Sequence, residues 1–422
     1  MAILVERDNI GIFGRTNCGK SSLMNLLTQQ ETSIVDATAG TTADTKIALQ
    51  EIHGLGPVKL FDTAGIDEQG VLGDKKRKKV FDALKECDLV LLIIDPARGV
   101  SEDEMTIVTR ARESGKQLLV VYNLFAAADR DRIEPLEAEH GLLQFYKKIA
   151  LVANDTDYRQ PLLQFILDNF DPRGRTTPLL PFLQENEFYV LIIPMDEETP
   201  PGRYLRPQAM VEEHITRNWA YPVSFRLDLG KARSDDPAVR EAERQRLIAV
   251  VDGLGKRPHA MITDSQAMDI MCHWCPSDVM LTTFSIVMIN YGSHGRLPLF
   301  VDGLKAVDTL KPGDRVLIAE ACNHSRIAED IGMVQIPRYL ERRCPGVVID
   351  HAFGREFHET AELPSYKLII HCGACMIDSQ KLLSRIRDLE ALGLPVTNYG
   401  LLLSYMQGEP ALKRVLQPWG IG

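Results

Sequence analysis

Two apolar runs of the chain end in cysteine and histidine residues, and this pairing predicts a metal site. The runs are residues 315–321 and 368–370, and the residues that follow them are Cys322, His324, His371, Cys372 and Cys375. Each run has the length and composition of a buried parallel strand. Ligands collect outside the carboxyl ends of such strands, so we expect the two loops to meet. Thiolates and imidazoles clustered in this way indicate zinc or an iron–sulfur cluster.

A second motif with clear chemistry lies near the N-terminus, where a short strand leads into a glycine-containing loop. Residues 14–21 fit the pattern G-x-x-x-x-G-K-[ST], whose backbone N–H groups wrap a phosphate at a helix N-terminus. We expect Lys20 to reach the β- and γ-phosphates and the Ser21 hydroxyl to bind Mg²⁺. The predicted nucleotide-binding residues of this loop are Gly14, Asn17, Cys18, Gly19, Lys20, Ser21 and Ser22.

Two further motifs follow in the order expected of a nucleotide hydrolase. Thr41 and Thr42 stand where a switch loop presents a threonine to Mg²⁺ and the γ-phosphate, and residues 58–65 form a strand ending in Asp-x-x-Gly. We expect Asp62 to lie near the metal and the Gly65 N–H to face the γ-phosphate. The predicted catalytic residues are therefore Lys20, Ser21, Thr42, Asp62 and Gly65. This set resembles translation-factor-type GTPases, and more narrowly the Era/TrmE branch.

The resemblance to that branch extends to one loop residue and stops at the base-reading motif. Asn17 is similar to the residue that lets some members bind K⁺, although it could equally be a turn residue. After the strand at 117–122, such proteins carry Asn-Lys-x-Asp, whereas this chain has Asn123, then Leu124, and Ala126 in place of the aspartate. The aspartate accepts two hydrogen bonds from guanine, so its loss predicts a weak preference for GTP.

Composition places the protein in a broad class. The 422 residues carry a net charge of −10 with 45% hydrophobic residues, which is typical of a globular protein and argues against a nucleic-acid partner. The first nine residues are too short and charged for a signal peptide, and no apolar run is long enough to span a membrane. We therefore expect a cytoplasmic protein in which the eight cysteines stay reduced.

Alternating strand and helix patterns predict an α/β protein of three domains. We expect a P-loop GTPase domain at 1–170, a small α/β dimerisation domain at 178–258, and a parallel-sheet domain at 259–422 that carries the predicted zinc or iron–sulfur site, with a proline-rich linker near 171–182. Cys272 and Cys275 form another Cys-x-x-Cys pair, but their surroundings look helical, so a core or surface role is favoured over a metal or redox role.

Taken together, the motifs resemble the FeFe-hydrogenase maturation GTPases, the HydF family. The resemblance covers essentially the whole chain and includes residues 62–67, 262–266, 320–324, 371–376 and 398–400. It implies a scaffold more than a turnover enzyme. Such proteins hold a 4Fe–4S cluster on three cysteines, here Cys322, Cys372 and Cys375, and hydrolyse GTP, often with the help of K⁺.

The same resemblance implies the partners of the protein. A homodimer would receive a di-iron precursor from two radical-SAM maturases and deliver it to apo FeFe-hydrogenase. Three thiolates leave one iron for an exchangeable ligand, for which Glu329, His324 and His371 are candidates, although each histidine could instead only donate a hydrogen bond. Two alternatives remain from the residues alone: a zinc-containing regulatory GTPase and a ribosome-assembly GTPase.

Overall fold

A computed structural model of the chain describes residues 7–28, 46–63, 65–66, 71–170, 177–194, 204–320, 331–353, 362–374, 377 and 379–421. The chain divides into two compact units, Met1–Thr176 and Thr177–Gly422. None of the helices in these described ranges is long and apolar enough to cross a membrane.

The first unit alternates strands with helices. Its strands are β1 (Asp8–Phe13), β2 (Lys46–Ile52), β3 (Gly56–Asp62), β4 (Leu89–Ile94), β5 (Gln117–Asn123) and β6 (Lys147–Leu151). Its helices are α1 (Lys20–Thr28), α2 (Val71–Glu86), α3 (Glu102–Glu113), α4 (Ile133–Glu139) and α5 (Arg159–Asn169). The strand order is β2-β3-β1-β4-β5-β6, in which β2 runs antiparallel to β3 and the other pairs are parallel.

Burial explains why this sheet forms where it does. All six residues of β4 are buried, as expected of a central strand covered by helices on both faces. Helix α3 begins with a capping box in which Ser101 accepts from the Glu104 N–H and the Glu104 carboxylate accepts from the Ser101 N–H. The parallel strands β1, β3 and β5 deliver their carboxyl ends to the same edge of the sheet, which is where the nucleotide motifs lie.

The second unit continues the alternation. Its strands are β7 (Phe188–Ile193), β8 (Tyr221–Arg226), β9 (Ala260–Thr263), β10 (Met280–Thr283), β11 (Arg315–Glu320), β12 (Val348–Phe353), β13 (Tyr366–His371) and β14 (Val396–Asn398). Its helices are α6 (Arg206–Arg217), α7 (Leu229–Ala232), α8 (Pro237–Gly253), α9 (Met268–Trp274), α10 (Phe284–Gly292), α11 (Leu297–Gly303), α12 (Lys305–Asp308), α13 (Ile336–Arg343), α14 (Ser379–Ala391), α15 (Tyr399–Met406) and α16 (Glu409–Leu416). The α/β class expected from the sequence is confirmed.

The middle sheet extends further along the chain than the sequence suggests. Its order is β10-β9-β7-β8, with every pair parallel, and Tyr189 of β7 is in register with Ala260 of β9. The boundary expected at residue 259 therefore falls inside this sheet. The hydrophobic pattern of a four-residue strand does not indicate which sheet the strand joins, so the sequence could not assign β9 to the middle sheet.

The last sheet carries the cysteine and histidine motifs. Its order is β12-β11-β13-β14, again with parallel pairs, so the neighbouring strands β11 and β13 end at the same edge of the sheet. A continuous apolar core links it to the middle sheet, because Val190 of β7 and Val316 of β11 belong to the same buried cluster. Residues 321–330 lie outside the described ranges, and Ile331–Gln335 forms a π-helix before α13.

Candidate functional site

The loop between β1 and α1 has the backbone of a phosphate cradle. Gly14, Asn17 and Gly19 all have positive φ, at 149°, 62° and 105°. Asparagine tolerates this left-handed region, and the exposed Asn17 side chain stands at the top of the loop. A β-carbon on Gly19 would collide with the Asn123 amide nitrogen, so glycine is required there. Cys18 is buried beneath the loop, and burial raises the pKa of its thiol to about 11.

Three polar side chains converge where the phosphates and metal of a nucleotide would lie. The buried Lys20 ammonium donates to the Arg15 carbonyl at 2.6 Å, and the Ser21 hydroxyl donates to Asp62 Oδ2 at 2.6 Å. Asp62 Oδ1 is buried without a hydrogen-bond partner. Burial raises the pKa of the Asp62 carboxyl, while the bond from Ser21 and the charge of Lys20 oppose that rise. An unpaired buried carboxylate oxygen beside a serine hydroxyl fits a divalent cation.

The strand end after Asp62 is tied to the phosphate loop. The Thr63 hydroxyl donates to the Ile12 carbonyl at 2.8 Å, and the Thr63 N–H donates to the same oxygen at 3.2 Å. A β-carbon on Gly65 would collide with the Thr16 side chain, so the backbone at Gly65 lies directly against the phosphate loop. This is the position from which its N–H can face a γ-phosphate. Thr41 and Thr42 lie outside the described residues.

Two further side-chain contacts that hold the phosphate loop were not predicted from the sequence. The Arg15 guanidinium forms an ion pair with the fully buried Glu104 at 3.1 Å, and Arg98 Nη1 donates to the Thr16 carbonyl at 2.8 Å. Glu104 is also the capping-box residue of α3. The Ser-x-x-Glu spacing could have marked Glu104 as a helix cap, but nothing in it pointed to the phosphate loop.

The base-reading loop has no carboxylate at the expected position, and a different carboxylate holds the backbone of the loop. Asn123 still bridges the site, since its amide donates to the Cys18 carbonyl and its oxygen accepts from the Ala153 N–H, both at 2.9 Å. Ala126 is exposed and has no group for a base edge. The buried Asp129 accepts from the N–H groups of Phe125 and Ala126, at 3.0 and 2.7 Å. Asp129 is therefore occupied in holding the loop.

The second site begins where β11 and β13 end side by side. The Cys372 N–H donates to the Ala319 carbonyl at 3.0 Å, which fixes the buried Cys372 beside the last residues of β11. Ala374 has a φ of 57°, which is unusual for alanine. This left-handed conformation turns the chain sharply two residues after Cys372. Cys372 thus lies at the sheet edge where β11 ends.

The residues flanking Cys372 are held by buried polar contacts. His371 Nδ1 lies 2.9 Å from the Cys372 carbonyl, and its Nε2 lies 3.1 Å from Nη1 of Arg385. Glu320, the last residue of β11, accepts from the Tyr399 hydroxyl at 2.9 Å. Neither Arg385 nor Tyr399 was assigned a role from the sequence, because each is far from the cysteine motif along the chain.

The Cys272 and Cys275 pair is built into a turn at the end of α9. The Arg414 guanidinium donates to the Cys275 carbonyl at 2.9 Å and also to Pro276 and Val279. Cys275 is buried, and burial raises the pKa of its thiol to about 12. The pKa of Cys272 is also raised, again mainly by burial. A buried thiol with a raised pKa is a weaker nucleophile, which favours the structural interpretation of this pair.

The remaining predicted ligands cannot be placed. Cys322, His324, Glu329 and Cys375 lie outside the described residues. Within the part of the chain that the structure describes, no three cysteine, histidine or carboxylate groups lie together as a metal site would require.

Three protein-family models match parts of the chain. A model described as a 50S ribosome-binding GTPase matches residues 9–124. The Hydrogen maturase F dimerization domain matches residues 236–292, and the Hydrogen maturase F tetramerization domain matches residues 298–418. The dimerization match includes β9 and β10, in agreement with the observed middle sheet.

Two curated relatives each match about 29% of the chain. GTPase Der of Chloroflexus aurantiacus is 39% identical over 126 residues, which are 29% of this chain and 28% of that protein. The tRNA modification GTPase MnmE of Geobacter sulfurreducens is 38% identical over 122 residues, covering 29% of this chain and 26% of that protein. The chain thus spans under a third of the length of these relatives.

Among solved structures, Era in complex with MgGDPNP and nucleotides of 16S ribosomal RNA is 25% identical. The match covers 42% of this chain and 60% of that chain, with a TM-score of 0.34. The chain therefore carries, in order, a GTPase domain and the dimerization and tetramerization domains of hydrogen maturase F.

Proposed function

We propose that this protein is a nucleotide-hydrolysing scaffold that holds a 4Fe–4S cluster and passes a di-iron precursor to apo FeFe-hydrogenase. The observation that carries the proposal is the pairing of β11 with β13 in the region that matches the tetramerization domain. Both strands run into the cysteine motifs at the same sheet edge. The di-iron unit is the cargo, and the two radical-SAM maturases that build it are the proposed donors.

The nucleotide half of the function follows from the phosphate site. Lys20 would neutralise the β- and γ-phosphates, and Ser21 with Asp62 would hold Mg²⁺, which would spread the charge that develops on the transferred phosphoryl group. The Gly65 N–H would contact the γ-phosphate from the other side. Asn17 is the proposed K⁺ contact, and Thr42 the switch residue. These groups position and stabilise charge, and no covalent step by the protein is needed.

The cluster half follows from the chemistry of the donor set. Cys322, Cys372 and Cys375 would bind three irons as soft thiolates and leave one corner to a weaker ligand. Glu329 and His324 remain candidates for that corner. His371 is a weaker candidate, because both of its ring nitrogens lie within hydrogen-bond distance of other groups. The buried Cys372 and the left-handed Ala374 beside it fit a loop that wraps an inorganic guest.

The test is anaerobic reconstitution of the full chain, followed by iron and acid-labile sulfide analysis and EPR. We expect about four irons and four sulfides per chain from the proposed cluster stoichiometry. Cys322→Ser, Cys372→Ser and Cys375→Ser should each abolish the signal. Cys344→Ala is the matched control, because Cys344 is buried in the same sheet region but precedes the amino end of β12. Bound zinc without sulfide would establish the zinc-containing alternative.

A second candidate function is binding to the ribosome, favoured by the description of the family model that matches residues 9–124. The net charge of −10 opposes it, since ribosomal RNA is a polyanion. Co-sedimentation of the GTP-loaded protein with ribosomal subunits at physiological salt tests ribosome binding directly. We expect the protein to stay in the supernatant.

A further inference from the structure

The middle sheet has a point at which the direction of its chain connections reverses. From β7 the chain crosses to β8 towards one edge of the sheet, whereas from β9 it crosses to β10 towards the other edge. In an open parallel sheet, such a reversal leaves a crevice outside the carboxyl ends of the two strands, where ligands bind. The Asp264 N–H donates to the Ile192 carbonyl at 3.1 Å, so the two strand ends lie side by side. A ligand site is therefore expected beside the residues that follow β9.

A groove with a volume of about 240 Å³ opens beside those residues. Its walls come from three segments that are distant along the chain, within residues 265–269, 334–338 and 403–407, together with Arg233. The volume exceeds the ~150 Å³ of a cavity that holds benzene and falls below the ~300 Å³ of the smaller drug-sized pockets. The groove therefore has the size to hold a small organic molecule.

Two buried polar side chains in the wall of the groove have no hydrogen-bond partner in the described part of the chain. Ser265 and Gln266 are each 6% exposed, and the Ser265 hydroxyl is buried without a partner. Gln266 forms hydrogen bonds through its backbone, from its N–H to Asp264 and from Arg233 to its carbonyl, and its side-chain amide has none among the described residues. Buried hydroxyl and amide groups are nearly always paired with protein, water or a ligand. A polar guest in the groove would supply the missing partners.

The charged residues that line the groove are two arginines and one aspartate, which leaves one positive charge in excess. Arg233 and Asp269 neutralise each other through two hydrogen bonds, at 2.9 and 3.0 Å. Arg338 is exposed, and its guanidinium has no partner among the described residues. An arginine fork matches a carboxylate in geometry and charge, while the Asp269 carboxylate disfavours a dianion. The apolar side chains of Leu403 and Met406 also line the groove.

We propose that this groove binds a small monocarboxylate with a short apolar body. The Arg338 guanidinium, the Ser265 hydroxyl and the Gln266 amide would donate to the polar atoms of the guest, and Leu403 and Met406 would contact its apolar part. None of these residues belongs to the proposed nucleotide or cluster site. Loss of either of those functions would therefore leave this groove and its ligand unaffected.

The test is a saturation-transfer NMR titration of the full chain with hexanoate as the probe, and with hexanamide and hexylamine as its neutral and cationic counterparts. A carboxylate of this size should bind with a Kd of about 1 mM. Hexanamide should bind about tenfold more weakly or not at all, because it cannot form an ion pair with a guanidinium. Equal binding of the three probes, or no saturable binding of hexanoate, would overturn the proposal.

Arg338→Gln should weaken hexanoate binding about tenfold and leave folding intact, because this side chain is exposed. Arg342→Gln is the matched control, since Arg342 is also exposed on α13 but is not part of the groove lining. Its Kd should stay at the wild-type value. An equal loss of affinity in both variants would show an effect of general charge and would refute a site at Arg338.

Ser265→Ala separates a ligand site from a structural role. If the hydroxyl is kept for a guest, its removal should weaken hexanoate binding and raise the unfolding midpoint of the ligand-free protein by about 2–4 °C, because an unpaired buried group destabilises the fold. Unchanged binding would overturn the proposal. A lowered midpoint would overturn it as well, since the hydroxyl would then serve the fold or hold only a trapped water.

Discussion

Adding a carboxylate to the base-reading loop should raise the preference of the nucleotide site for guanine over adenine. Ala126 is exposed and has an extended backbone, with φ of −139° and ψ of 156°, so an aspartate can be introduced there without displacing a core residue. The existing Asp129 cannot serve, because it accepts from the N–H groups of Phe125 and Ala126. Ala126→Asp therefore adds a free acceptor to a loop whose backbone is already fixed.

The size of the effect follows from the two hydrogen bonds that a guanine edge donates. Hydrogen bonds to a charged group contribute about 1.5–3 kcal/mol each, and solvent at this exposed position reduces the sum to about 2–3 kcal/mol. That range corresponds to roughly a 30- to 150-fold rise in the ratio of kcat/KM for GTP over ATP. Adenine presents no matching pair of donors, so kcat/KM for ATP should not rise.

The assay is phosphate release with Mg²⁺ and K⁺ present, using GTP and ATP at concentrations well below KM. Ala127→Asp is the matched control, because it places the same charge one residue along the exposed run and should leave the ratio unchanged. A wild-type preference for GTP of several thousandfold would refute the reasoning, since the site would then read guanine without the aspartate. An equal rise in the GTP/ATP ratio for Ala126→Asp and Ala127→Asp would show that the added charge alone causes the effect.

Four further predictions follow from the same geometry. Lys20→Ala should lower kcat/KM for GTP at least about a hundredfold, because the phosphates lose their buried cation; unchanged phosphate release would exclude this site. Asp62→Asn should raise the unfolding midpoint of the metal-free protein at pH 7, because the raised pKa of Asp62 means that its charged form is disfavoured in the folded state. That gain should shrink as the pH falls and disappear below the ordinary pKa of a carboxyl, where the wild-type group is also neutral; a gain of equal size at pH 3.5 would contradict the assignment. A fragment of residues 177–422 should reconstitute with the iron and sulfide content of the full chain, because every proposed thiolate lies in that unit, and a folded fragment that stays empty would show that the first unit contributes. Cys275→Ala should retain the full cluster signal in EPR, because its thiol is buried and protonated within a turn, whereas loss of the cluster would make Cys275 a ligand.

Local sequence patterns determined the elements of this protein and the chemistry that they carry. A run such as residues 89–94 contains only branched apolar side chains, which favours a buried strand, and the G-x-x-x-x-G-K-[ST] pattern of residues 14–21 indicates a phosphate loop. The GTPase domain followed from such short-range signals, because each of its motifs lies within about ten residues.

The tertiary structure alone decided the long-range partners. Arg385 reaches His371 from 14 residues away, Arg15 meets Glu104 across the first domain, and β9 joins β7 rather than the last sheet. The sequence shows none of these pairings, because it does not distinguish an arginine that becomes buried from one that stays on the surface. Which cation is buried against which neighbour depends on how the helices cover the sheets, and that is settled only when the whole core packs.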